Sequence, residues 1–174
     1  MSGSDVRTPV DAARDAGRLL DALRALGWSI GVAESLTGGL VVESLVAVPG
    51  ASVSVRGGIV AYSTGVKASL LSVDPDLLDA HGAVHPEVAR QMAQGVREAM
   101  SVDGEPADVG LSTTGIAGPD SPDGQPVGTV FLGIVTPHGA SVESLHLRGT
   151  RDAIRHQAAR RAVLLAVDAV GPRL

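Results

Sequence analysis

Ala33-Glu34-Ser35-Leu36-Thr37-Gly38-Gly39 is the stretch on which the fold of this chain turns. A short apolar run, 30–33, leads into it. An apolar-periodic segment with Leu40, Val41, Leu45, Val46 and Val48 leads out, which reads as strand, tight turn, helix. Ser35 then stands at the carboxyl end of a strand, just before a helix start, where unpaired backbone N–H groups can hold a phosphate or an oxyanion. Gly38 and Gly39 let a ligand come close to the backbone. The competing reading is an ordinary Ser/Thr-capped helix whose glycines serve only the turn.

Toward the N-terminus, residues 1–8 read as a loose tail. Thr8-Pro9 followed by Asp11 marks a helix start, with Thr8 as cap and Pro9 at the first helical position. Leu19, Leu20, Leu23 and Leu26 form its apolar face, Gly27 stops it, and 28–33 is the first strand. Toward the C-terminus, the helix after Ser35 runs to about Val48 and breaks at Pro49-Gly50. Residues 51–55 have no clear pattern. A strand over 57–63 precedes a short helix carrying Lys67, Leu70 and Leu71, capped by Ser63 or Thr64. Asp74-Pro75 opens another helical turn, and His85-Pro86-Glu87 starts a longer helix through Met100. A strand over 108–113 ends in a second Gly-rich turn, Thr114-Gly115-Ile116-Ala117-Gly118-Pro119, followed by a loop over 120–126. Strands over 127–136 and 141–147 flank a hairpin turn at Pro137-His138-Gly139. A last helix spans about 150–170, with Ile154, Ala158, Ala162, Leu165 and Ala169 expected on its core face. No repeat or linker interrupts the 174 residues, which predicts one α/β domain whose hairpin makes the sheet mixed.

Composition narrows the class. The hydrophobic fraction is 44%, and Trp28, Tyr62 and Phe131 are the only aromatics, so the core must be aliphatic, as suits a sheet covered by helices. A net charge of −5 without a basic run speaks against nucleic acid as a partner. The absence of cysteine removes disulfides and thiol nucleophiles. No secretory signal and no membrane-length apolar stretch is visible, so the expected setting is soluble and cytoplasmic. Lys67 is the only lysine in an arginine background. Arginine cannot lose its proton in a protein and a desolvated lysine can, so Lys67 suits a place that needs a titratable amine, with chance as the alternative.

If their strands are parallel, the two Gly-rich turns lie on one edge of the sheet, where ligands of open α/β folds bind. Neither turn is a P-loop or a dinucleotide fingerprint. His81 and His85 have a zinc-like spacing, but Gly82 and Pro86 interrupt any continuous helix, so no metal is expected. Nucleophile candidates are Ser35, Ser63 and Thr114. No nucleophile-elbow or Ser-x-x-Lys motif occurs. Ser63 lies one helical turn from Lys67, and Ser35 has the better electrostatic position.

The chain resembles the CinA C-terminal family. The resemblance rests on Ala33-Glu34-Ser35-Leu36-Thr37-Gly38-Gly39, Pro49-Gly50-Ala51-Ser52, Arg56-Gly57-Gly58 through Tyr62-Ser63, Lys67, His81-Gly82-Ala83-Val84, Thr114 through Pro119, Pro126 through Val130, and Gly149-Thr150-Arg151. It runs in order from about Asp11 to Val170. Position 36, often cysteine in relatives, is leucine here. His85 stands where serine is commoner, and Thr114 where serine also occurs. The resemblance implies a three-layer α/β/α sandwich with a mixed, mostly parallel sheet. Longer relatives add an N-terminal domain, for which this chain is too short.

Active members are nicotinamide-nucleotide amidases. The resemblance therefore implies hydrolysis of nicotinamide mononucleotide to nicotinate mononucleotide and ammonia, with no metal and no cofactor. The family's serine–lysine pair falls on Ser35 and Lys67. Neutral Lys67 would take the Ser35 proton, and amides near 36–39 would hold the oxyanion. Substrate contacts are expected from Glu34, Thr37, Gly38, Gly39, Tyr62, Thr114, Gly115, Gly118 and Arg151, with Arg151 or Arg155 as charge partner of the phosphate. The expected partners are a small nucleotide and a second copy of the chain, as a homodimer. The alternative function is a non-catalytic phosphate-ligand-binding or regulatory module of the same fold.

Overall fold

The computed structural model of the protein describes residues 9–121 and 124–171. The expected tail and the Thr8 cap lie outside them. Helix α1 (Pro9–Leu26) starts at the proline and stops at Gly27, whose φ of 67° lies in the left-handed region. Strand β1 (Ile30–Glu34) follows, every residue of it buried. Next come α2 (Leu40–Val46), a 3₁₀ turn (Ala51–Val53) in the stretch without a pattern, and β2 (Val55–Val60). Helices α3 (Thr64–Leu71), α4 (Pro75–His81) and α5 (Pro86–Ala99) lead to β3 (Val109–Gly115). Strands β4 (Thr129–Thr136) and β5 (Gly139–His146) form the hairpin, and α6 (Arg151–Val170) ends the described chain.

The five strands lie in the order β2-β1-β3-β4-β5. β1 pairs in parallel with β2 on one side and β3 on the other, while β3–β4 and β4–β5 are antiparallel. The sheet is mixed, but its pairings divide evenly rather than being mostly parallel, because neither connection after β3 contains a crossover helix and the chain turns straight back each time. From β1 the chain steps to β2 on one side, and then returns past β1 to β3 on the other. A crossover of fixed hand reverses face when the step reverses direction. Accordingly α2 joins α1 and α6 on one face, where Leu19, Leu23, Val32, Leu111, Leu132, Ile154 and Ala162 meet. Helices α3, α4 and α5 cover the other, around Ala33, Ala61, Leu71, Leu78, Val88, Met92 and Val96. The result is a three-layer α/β/α sandwich. On α6 the buried stripe includes Ile154, Ala158, Ala162, Ala166 and Val170; Leu165 and Ala169, expected inside, are partly buried at its flank.

Helix α5 lies unusually close to the sheet. A Cβ placed on Gly110 of β3 would run into the Ala93 carbonyl oxygen, and one on Gly133 of β4 into that of Ala89. Ser112 Oγ, between them, donates to Ala89 O at 2.6 Å. These glycines keep side chains out from under the helix, so its backbone rests on theirs.

Candidate active site

The reversal around β1 leaves a crevice at the carboxyl ends of β1, β2 and β3, the position where open α/β sheets bind ligands. An open pocket of about 190 Å³ occupies it. Ser35 enters it directly after β1, Tyr62 after β2, Lys67 from α3, Thr114 through Gly118 from the end of β3, and Arg151 from the first turn of α6. Leu36 beside Ser35, Ala83 and Val84 between α4 and α5, and Asp120 complete the wall.

Lys67 is 1% exposed and faces inward, one helical turn before buried Leu71. Its Nζ lies 3.0 Å from Ser35 Oγ, 2.7 Å from Ala61 O and 3.4 Å from Tyr62 O. Burial pushes its ammonium down from 10.5 to about 8. A neutral amine has two N–H groups and one lone pair. The two carbonyls can take the hydrogens, leaving the lone pair for the Ser35 hydroxyl to donate to. The other nucleophile candidates are engaged elsewhere. Ser63 caps α3, its Oγ accepting from Val66 N, and Thr114 Oγ1 donates to Ala83 O at 2.7 Å.

The turn after Ser35 is longer than its sequence suggests. Gly38 (φ 60°) and Gly39 (φ 104°) delay the helix, so α2 begins at Leu40 and Ser35 is not itself at a helix N-terminus. That N-terminus is already filled. Glu34, fully buried, turns back and accepts from the amides of Gly39 (2.9 Å), Val41 (3.2 Å) and Val42 (2.8 Å). Glu34 is therefore absent from the pocket wall, contrary to the sequence expectation: its carboxylate satisfies α2, and a ligand cannot reach it. Thr37 is also fully buried, its hydroxyl 2.8 Å from that of Thr113. Gly38 and Gly39 shape the turn away from the pocket; the Gly38 amide donates to Ser35 O and the Gly39 amide to Glu34. Among the described residues, the amides of Leu36 and Thr37 have no acceptor.

On the opposite wall, the amides of Ala117 and Gly118 also have no acceptor among the described residues. Arg151 Nη1 donates to Gly118 O at 2.6 Å and Nη2 to the Tyr62 hydroxyl at 3.0 Å, so the guanidinium joins two pocket walls. Arg155, its helical neighbour one turn on, is not a pocket cation. Its Nε donates to Leu36 O (2.9 Å) and Nη2 to Thr37 O (3.1 Å). His81 and His85 stack with ring centroids 4.7 Å apart, across the break at Gly82. Among the described residues no cluster of His, Cys, Asp or Glu could hold a metal ion, and no helix is long and apolar enough to cross a membrane. Of the wall residues that received no role from sequence, Ala83 and Val84 lie within a motif of the family resemblance, whereas Asp120 carries no sequence signal.

The CinA C-terminal domain model matches residues 13–170. A relative from Geobacillus kaustophilus, provisionally named a competence-damage inducible protein, is 49% identical over 82% of this chain and 34% of its own length. A CinA-like protein of Frankia casuarinae is 46% identical over 88% of the chain and 34% of its own length. The chain thus spans about a third of these curated relatives. A crystal structure of the competence/damage inducible protein CihA from Agrobacterium tumefaciens superposes with a TM-score of 0.84 at 31% identity, over 97% of this chain and 99% of that one. With nearly the whole described sandwich and its crevice inside the matched region, the chain belongs to the CinA C-terminal domain family.

Proposed function

We propose that the chain hydrolyses the carboxamide of nicotinamide mononucleotide, releasing ammonia and nicotinate mononucleotide. The observation that carries this reading is the buried Ser35–Lys67 contact of 3.0 Å at the floor of an open pocket. A serine hydroxyl next to an amine that burial makes easier to deprotonate is an activated nucleophile. The names of the relatives specify no reaction. The substrate rests on the motifs shared with nicotinamide-nucleotide amidases and on the pocket's second, phosphate-suited wall.

Lys67 takes the Ser35 proton as Ser35 Oγ attacks the carboxamide carbon. The carbonyl oxygen becomes an oxyanion, for which the Leu36 amide, on the pocket wall, is the free donor closest in sequence to the nucleophile. Lys67 returns its proton to the departing nitrogen, the C–N bond breaks, and ammonia leaves an ester on Ser35. Water, deprotonated by Lys67, then releases the nicotinate product. The phosphate rests at the Ala117–Gly118 amides and the free N–H groups of Arg151. Asp120, an acid on the same wall, would oppose an anion placed against it, which favours the Arg151 side for the phosphate.

The test is ammonia release from nicotinamide mononucleotide by purified protein, with nicotinate mononucleotide identified as co-product. Binding of the nucleotide without turnover would replace this reading with a ligand-binding module.

A further inference from the structure

We infer that Arg155 is a positioning residue that presets the oxyanion-binding backbone beside Ser35. The inference rests on the amidase reading for its substrate, but not for its geometry. A trans peptide points its C=O and N–H in opposite directions. Arg155 draws the carbonyls of Leu36 and Thr37 to itself, at 2.9 and 3.1 Å, so the N–H groups of Thr37 and Gly38 point away from α6. Gly38 N is consumed by Ser35 O at 3.1 Å. That bond fixes the Ser35–Leu36 peptide as well; with Thr37 fully buried, Leu36 N remains as the pocket-wall donor of the turn without an acceptor among the described residues.

This turn needs an external brace. Gly38 and Gly39 both have positive φ, and glycine backbone crosses between conformations with little steric cost. Within the segment Thr37 O accepts only a 3.3 Å bond from Leu40 N, and no side chain of the turn holds either carbonyl; Thr37 Oγ1 is spent on Thr113. Arginine supplies a rigid planar fork whose Nε and Nη2 reach the two oxygens at once, whereas lysine is a point charge on a flexible stem. Glu34 closes the turn from its other end by taking the Gly39 amide and two amides of α2. Opposite charges therefore hold the carbonyls and the competing amides, and what the turn offers the pocket unpaired is the amide that follows the nucleophile, Leu36 N. Arg155 touches neither pocket nor Lys67.

The experiment compares Arg155→Ala and Arg155→Lys with the unchanged protein in two assays. For nicotinamide mononucleotide, kcat should fall about a hundredfold in Arg155→Ala, as when an oxyanion donor is lost. KM should stay within about threefold and the pH midpoint of activity should not move. Added methylguanidinium should restore part of kcat. Arg155→Lys should show a partial loss, and serves as the readout if Arg155→Ala does not fold. The second assay is the rate at which a fluorophosphonate labels Ser35, which also needs the oxyanion donors but not the nucleotide. It should slow by a similar factor. A folded variant with normal kcat and labelling, or one whose loss lies wholly in KM, overturns the inference. Labelling of Ser35 without ammonia release in the unchanged protein would defeat the amidase reading alone, and the labelling comparison still decides the role of Arg155.

Discussion

Ser35 Oγ and Lys67 Nζ stand 3.0 Å apart in a chain whose only lysine is the one buried there. Two backbone carbonyls at 2.7 and 3.4 Å hold the amine from behind. Both carbonyls, of Ala61 and Tyr62, come from the two residues that follow β2, so the backbone itself orients the amine.

Replacing Ser35 by alanine should abolish ammonia release. Lys67 keeps its contacts with Ala61 O and Tyr62 O, and only a hydroxyl is removed, so stability should change by about 1 kcal/mol or less. Thermal unfolding and the ammonia assay check the two halves; turnover at the normal rate would place the nucleophile elsewhere.

Lys67→Arg separates charge from basicity. Guanidinium retains the cation but stays protonated at usable pH, so activity should fall at least about a hundredfold, close to Lys67→Ala. In the unchanged protein activity should rise with pH around a midpoint of about 8, as Lys67 loses its proton. A flat profile between pH 6 and 9 would rule out proton abstraction by this amine.

The same lysine makes folding stability pH-dependent. Its folded pKa of about 8 lies below the ordinary 10.5, so between those values the unfolded chain binds more protons and stability increases with pH. Below about pH 8 the full penalty of the buried charge applies. Relative to Lys67→Met, which does not titrate, the protein should gain about 3 kcal/mol between pH 7 and 10.5. Urea unfolding of both proteins across that range measures it, and parallel curves would contradict the burial effect.

Nicotinamide riboside should be a much poorer substrate than the nucleotide. Arg151→Ala should raise KM for the nucleotide by tenfold or more, since a charge-assisted hydrogen bond is worth about 1.5–3 kcal/mol. Steady-state kinetics on both substrates test this; equal kcat/KM for nucleoside and nucleotide excludes a phosphate contact at Arg151.

Gly110→Ala tests the packing of α5. The added methyl group meets the Ala93 carbonyl oxygen, a backbone atom that cannot swing aside, so the cost should be about 1–3 kcal/mol or more. That corresponds to a Tm lower by several degrees, measured by thermal unfolding. An unchanged Tm would mean that the helix can lift off the sheet.

What could be read from sequence follows the range of the forces involved. The strand-turn-helix at Ser35 and the β4–β5 hairpin are local patterns, visible as periodicity and turn residues. Lys67 stood out by composition, and its link to Ser35 by resemblance. Glu34 and Arg155 were opaque for a common reason. A carboxylate beside a Gly-rich turn looks the same whether it faces a ligand or a helix N-terminus, and an arginine near a pocket looks the same whether it holds phosphate or carbonyls. Which partner it finds depends on residues 5–8 positions away for Glu34 and 118–119 away for Arg155. The even split of the sheet's pairings likewise depends on which strand β3 chooses as neighbour.

Because Arg151 and Arg155 come from the last described helix, the crevice has a built-in order of completion during synthesis. Leu36 and Thr37 leave the ribosome more than a hundred residues before Arg155, which braces them. On the amidase reading, a nascent chain therefore carries Ser35 beside an unbraced turn until α6 docks beside α1 and α2. On the same reading, labelling of Ser35 would also mark a chain whose last described helix has docked.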